Sequence, residues 1–131
     1  MILVDSSVWI DYFNGGDTPY TAKLDSLLGV ELIAIGDIIL TEILQGFQSD
    51  KDFKTAKSVL LSLTVFDMLG QKNALAAAEN YRFLRKKGIT VRKTLDCIIA
   101  TFCIQNGHSL LCCDRDFKPF VEYLGLSVVD V

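Results

Sequence analysis

The chain has 131 residues, half of them hydrophobic, and a formal net charge of −3. That length suits one domain over residues 1–131, which buries roughly two-thirds of its unfolded surface and needs no disulfide or structural metal to fold. A mean hydropathy of +0.35 argues for a buried parallel sheet or an apolar docking face, not for a membrane span: the longest uncharged run, residues 97–113, is broken by Gln105-Asn106-Gly107-His108, and a span needs about 20 apolar residues.

Ile2-Leu3-Val4 opens the chain as an unbroken apolar run, the pattern of a strand buried on both faces. The run stops at Asp5. Ser6 and Ser7 follow, and then a periodic segment, Val8-Trp9-Ile10-Asp11-Tyr12-Phe13, predicts a short helix to about Asn14. Gly15-Gly16-Asp17-Thr18-Pro19 reads as a turn, with Thr18 as N-cap and Pro19 in the first turn of a helix over 19–28. Residues 31–35 form strand 2, and Gly36-Asp37 turns the chain into a helix over 38–45. A further helix is expected over 49–61, with Val59 and Leu60 inward and Lys51, Lys54 and Lys57 outward, and then a short strand 3 over 64–66.

Residues 73–87 form a long helix, favoured by Ala74, Ala76, Ala77 and Ala78. Thr94 is the expected cap of the next helix, which runs to about Gln105 and ends at Asn106-Gly107. Strand 4 covers 109–112, Asp114 turns the chain into a helix over 117–124, and strand 5 covers 127–129. Strands alternating with helices predict a parallel sheet covered on both faces. The N-terminus has neither the basic region nor the small-residue cleavage site of a signal peptide, so a cytoplasmic location is expected.

Several chemistries are disfavoured by composition. There is one histidine, His108, beside an Asn-Gly turn and expected at the surface, which leaves little from which to build a Ser-His-Asp triad or a two-histidine metal site. No GxxxxGK[ST] and no GxGxxG is present. The four cysteines, Cys97, Cys103, Cys112 and Cys113, lack CxxC spacing and read as reduced apolar fillers.

Carboxylates at strand ends and helix starts remain. Asp5 follows strand 1, Glu42 follows Thr41 in the helix after strand 2, Asp96 opens a helix, and Asp114, with Asp116 two residues on, follows strand 4. Each alone could cap a helix, favour its dipole or sit in solvent. Together they are harder to dismiss. Strands 1 and 4 of such a sheet are expected to be neighbours, and Glu42 and Asp96 lie within apolar runs, where a carboxylate seldom faces the core unpaired. At about 4 Å each like-charge pair costs on the order of 4 kcal/mol at an effective dielectric near 20. A divalent cation reverses that cost, and oxygen-only ligands select Mg²⁺ or Mn²⁺. Such a site suits phosphodiester hydrolysis.

The basic residues are concentrated. Arg82, Arg85, Lys86, Lys87, Arg92 and Lys93 make up 6 of the 13 lysines and arginines, with no acid between 82 and 93. The block ends three residues before Asp96, so Arg92 and Lys93 are candidates to hold a phosphate backbone, with Arg82, Arg85 and Lys86 extending the track.

These segments resemble a PIN domain of the VapC toxin type. Ile2-Leu3-Val4-Asp5-Ser6-Ser7-Val8-Trp9-Ile10-Asp11 is similar to the first family motif. Thr41-Glu42-Ile43-Leu44 supplies the glutamate, Asp96-Cys97-Ile98-Ile99-Ala100-Thr101 resembles D-x-[LI]-I-A-A, and Asp114-Arg115-Asp116-Phe117 resembles D-x-D-F. The resemblance implies a three-layer α/β/α sandwich with a five-stranded parallel sheet and Mg²⁺-dependent endonucleolytic cleavage of RNA, with Mn²⁺ as a substitute. It implies a metal held by Asp5 and Asp96, with Glu42 and Asp114 completing the acidic quartet, Asp116 accessory, and Ser6 a polar contact near the metal or the attacking water. It also implies a homodimer and a VapB-like antitoxin partner. One departure is Cys112, where the family often has threonine or serine; a thiol is a poorer hydrogen-bond partner. Two other readings stand beside it: within the resemblance, a PIN-like binding module without activity, and from an aspartate after strand 1, an aspartyl-phosphate phosphatase. The second wants an aspartate where Ser7 stands.

Overall fold

A computed structural model describes residues 1–113 and 115–131. In chain order the elements are β1 (Ile2–Val4), α1 (Ser6–Phe13), α2 (Pro19–Leu27), β2 (Ile33–Gly36), α3 (Asp37–Gln45), α4 (Asp50–Leu61), β3 (Thr64–Phe66), α5 (Gln71–Lys86) and α6 (Thr94–Asn106). They continue with β4 (Ser109–Leu111), a 3-10 turn at Arg115–Phe117, α7 (Lys118–Leu124) and β5 (Ser127–Val128).

The strands form one five-stranded sheet in the order β3-β2-β1-β4-β5. Every pair is parallel, with Leu3 opposite both Ala34 and Leu110. The expected α/β sandwich with a five-stranded parallel sheet is therefore found. β1 is central because its residues are apolar throughout, and Leu3 and Val4 are fully buried. All of β2 is buried as well, so helices must cover both faces of the sheet there. The chain runs outward from β1 to β2 and β3 on one side and returns to β4 on the other. The gap between β1 and β4 at their carboxyl ends is the switch point of the sheet, where open α/β folds bind ligands.

Thr18 and Thr21 form the expected cap of α2, each side chain bonded to the other's backbone N–H at 3.1 and 2.9 Å. Three expectations are corrected. α6 is preceded by Lys93 in an extended conformation, so Thr94 is its first residue rather than its cap. In α4 the inward residues are Ala56 and Leu60, four apart on one stripe, while Val59 is 40% exposed; an i, i+4 pair shares a helix face and i, i+3 is already turning away here. Strand 2 is shifted, beginning two residues after and ending one residue beyond its expected range, and strands 4 and 5 each end one residue early.

His108 departs further from the surface position expected of it. Its ring stacks on Phe66 at 5.2 Å and lies 5.8 Å from Phe102. Burial and the nearby chain N-terminus lower its pKa below 6.5. The ring packs against both neighbours as a flat apolar body, and burial disfavours its charged form. Among the described residues no helix is long and apolar enough to cross a membrane.

Candidate active site at the carboxyl edge of the sheet

Asp5 is the residue on which β1 ends and α1 begins. Its backbone N–H donates to Leu111 O at 2.9 Å, continuing the β1–β4 ladder by one residue. Its carbonyl accepts from Val8 N and Trp9 N at 3.1 and 3.3 Å, starting α1. It occupies the N-cap position, yet its side chain makes no capping bond. The carboxylate, at the end of the strand beside the switch point, is only 5% exposed and accepts a 2.8 Å hydrogen bond from Ser7 Oγ. The capping explanation for Asp5 is thus removed.

Glu42 projects from α3, half-buried, and its pKa is raised. Burial is the main cause and the charge of Asp5 the next; a hydrogen bond with the Ser6 side chain and the positive charge of Lys93 act in the opposite direction. Those couplings place Asp5, Ser6, Glu42 and Lys93 in one neighbourhood. Asp5 also acts on Cys103 in α6, whose thiol is pushed up to about 12 by burial first and by that charge second.

Asp96 lies in the first turn of α6, 7% exposed. α6 leads directly into β4 and runs back along it, so its start lies at the carboxyl edge of the sheet. An acid in a first helical turn is favoured by the helix dipole, but that would not require burial. α6 is buried continuously from Asp96 to Cys103, which gives Asp96 a fixed frame. Asp116 is half-buried in the 3-10 turn after β4. Asp114 lies outside the described residues.

The donors in this set are all hard oxygens. Among the described residues no three His, Cys, Asp or Glu side chains stand at ligand spacing as they are. The chemistry of the set nevertheless fits Mg²⁺ or Mn²⁺: buried carboxylates, one perturbed by its neighbour, with a cationic side chain as the nearest compensation.

Two further residues shape this edge without a strong signal in the sequence. Ser7, whose place after Asp5 suggests only a turn of the chain, holds Asp5 Oδ2. Cys113, exposed just after β4, lies 3.5 Å from Ser7 Oγ, which ties the β4 end to the β1 end through side chains. A hydroxyl two residues after a strand-end carboxylate is the only sequence signal for Ser7; nothing local signals Cys113. Cys112 is half-buried beside it.

The basic block divides in space. Arg82, Arg85, Lys86, Arg92 and Lys93 are exposed. Lys93 reaches the Glu42 carboxylate electrostatically. Arg85 lies over the Tyr81 ring at 5.8 Å. Lys87 turns to another face, over Phe83 and Tyr123 at 5.1 and 5.4 Å.

An all-parallel sheet opened by an aspartate at its switch point, followed by an acid on α3 and another at the start of α6, is the arrangement of a PIN domain. The PIN-domain family profile matches residues 2–121, and the chain belongs to that family, in its VapC-type branch. It is 34% identical over 129 residues to VapC ribonuclease Mb1587 of Mycobacterium bovis, covering 97% of this chain and 96% of that one. The figures are the same for Ribonuclease VapC11 of Mycobacterium tuberculosis. Among solved structures the fold is similar to VapBC2 from Rickettsia felis bound to a promoter DNA fragment, with a TM-score of 0.75, 22% identity, and 100% and 99% of the two chains covered. It is also similar to Mycobacterium tuberculosis VapC20, a Sarcin-Ricin loop cleaving toxin, with a TM-score of 0.70, 19% identity, and 100% and 98% covered.

Proposed function

We propose that the whole chain acts as a Mg²⁺-dependent endoribonuclease, with Mn²⁺ able to replace Mg²⁺, and is silenced by a VapB-like antitoxin. The observation that carries this reading is Asp5: a buried carboxylate at the switch point that declines the helix cap, sits against Glu42 and is held by Ser7. Support comes from the ribonuclease names of its 34%-identical relatives and from the VapBC complex among its structural neighbours.

In this reading Asp5 and Asp96 hold the ion directly, with Glu42 and Asp114 completing the set and Asp116 accessory. When bound, such an ion neutralises the clustered acids, polarises a phosphate oxygen and lowers the pKa of water. Ser7 fixes the orientation of Asp5 by donating to Oδ2. Ser6 orients the Glu42 carboxylate, which burial and Asp5 make a stronger proton acceptor than an exposed glutamate. Lys93 and Arg92 bind the RNA backbone at the entrance, and Arg82, Arg85 and Lys86 extend that contact along α5. A homodimer and a cytoplasmic location complete the proposal.

The test is cleavage of a fluorescent RNA by the purified protein with and without divalent ions. Asp5→Ala and Asp96→Asn should each reduce Mg²⁺-dependent cleavage by about 10²-fold or more, the scale of losing a preorganised electrostatic group, with unchanged circular dichroism. Retained cleavage in both variants would sink the assignment. Failure to bind Mg²⁺ or Mn²⁺ at millimolar concentration would favour a module that only pairs with a partner.

A further inference from the structure

A groove lies between α5 and the first turns of α6, outside the carboxylate cluster. Ala74, Ala77, Ala78, Tyr81, Arg82 and Arg85 all line it. Their spacing of three and four residues makes them one stripe of α5. The first half of the stripe is alanine, so the helix stands close to α6 without filling the space between. The second half is one aromatic ring and two guanidinium groups. From α6, Thr94, Cys97 and Ile98 complete the wall, again one stripe, and Leu69 closes an end. The groove has a volume of about 570 Å³ and is open to one side.

The floor is largely apolar. Ala77, Cys97 and Ile98 are buried, and Cys97 Sγ donates to Ala77 O at 3.2 Å. The rim is cationic: Arg82 and Arg85 are exposed, and the Arg85 guanidinium sits over the Tyr81 ring. Among the described residues no acidic one lines the groove. An occupant must therefore offer a flat, uncharged, polarizable body to the floor and an anion to the rim. A nucleotide of single-stranded RNA has both, with its base stacked on an aromatic or guanidinium plane and its phosphate on arginine. Thr94 adds one hydroxyl at the mouth, two residues from Asp96 but on a different face of the same helix. A base in the groove is therefore one that flanks the cut, reached around the start of α6.

We propose that the α5–α6 groove is a base slot for a nucleotide flanking the cleaved phosphodiester, with Tyr81 as its stacking platform and Arg82 and Arg85 as its phosphate rim. The proposal rests on the ribonuclease reading and assigns that site a second, base-binding subsite.

The experiment measures binding of a short single-stranded RNA containing 2-aminopurine, in chelator so that divalent-ion cleavage does not consume it. With wild-type protein the fluorescence should be quenched on binding as the base stacks. Tyr81→Ala should abolish the quench and weaken binding about tenfold, the scale of one base–aromatic contact. Ala78→Leu, which fills the groove from an exposed position with a good helix former, should do the same. An oligomer of abasic sugar-phosphate should bind all three proteins equally, since the rim is intact. Equal quenching in all three proteins, or no quench in any, would overturn the slot. So would an unchanged RNA affinity in Ala78→Leu accompanied by a change of oligomeric state in sedimentation, which would make the groove an interface between protein chains. Cleavage of the same RNA with Mg²⁺ is measured in parallel. Quenching without cleavage refutes the ribonuclease reading alone, and cleavage without slot-dependent binding refutes the slot alone.

Discussion

The two edges of the sheet treat buried titratable groups in opposite ways. At the amino edge His108 packs against Phe66 and Phe102, which also touch each other, and burial and the N-terminus lower its pKa. A neutral ring is all that edge requires. At the carboxyl edge Asp5 and Asp96 are nearly fully buried, and the half-buried Glu42 is perturbed by the charge of Asp5 as well as by burial. Packing alone explains the first edge. It does not explain the second, because like charges brought together weaken a fold unless something else is bound there. The contrast sets a core ring beside the acids to which the proposed function assigns chemistry.

The most severe test of that contrast lies within one helix. Ile99→Ala in α6 removes a fully buried side chain and should cost about 2–5 kcal/mol of stability. Asp96→Asn, three residues earlier, should leave the metal-free melting temperature unchanged or higher, because repulsion falls. Thermal melts of both variants in chelator check this, and a large loss in Asp96→Asn would make Asp96 a structural acid. Next in size is the entrance. Replacing both Arg92 and Lys93 by glutamate should weaken RNA binding and lower the log–log salt slope by roughly 0.7 for each phosphate no longer neutralised. An unchanged slope would reduce these residues to a solvated face.

The smallest effect belongs to His108. Its folded pKa is lowered from the ordinary 6.5, so the unfolded chain binds the proton more readily. The stability it confers is present above pH 6.5 and is lost as pH falls through that value towards the lower folded one. His108→Phe should flatten this acid limb in denaturant titrations between neutral and mildly acidic pH while leaving RNA cleavage at neutral pH unchanged. A parallel shift at all pH values would mean that the ring contributes by packing only.

Much of this architecture is legible in the residues themselves. The unbroken apolar run of β1, its stop at Asp5 and the alternation that follows suffice for a parallel sheet with Asp5 at its carboxyl edge. Glu42 and Asp96 stand out because polar residues interrupt apolar helices. The rest depends on contacts between distant segments. Val59 and Leu60 are equally apolar, and only the rotation of α4 against the core decides between them. His108 looks exposed beside Asn106-Gly107 because nothing local reveals that Phe66 will stack on it. Ser7 and Cys113 meet only because β1 and β4 are neighbours, a 106-residue separation in sequence.

The central place of β1 also bears on how slowly its backbone opens. Asp5 donates its N–H to Leu111 O, and β1 is bonded on both sides, to β2 and to β4. Breaking that amide's hydrogen bond requires parting the middle of the sheet, an event close to global unfolding. Deuterium should therefore reach the Asp5 amide among the last in the protein, long after the helix ends have exchanged. The carboxylate proposed to hold the metal would then be anchored in the part of the chain least able to fluctuate.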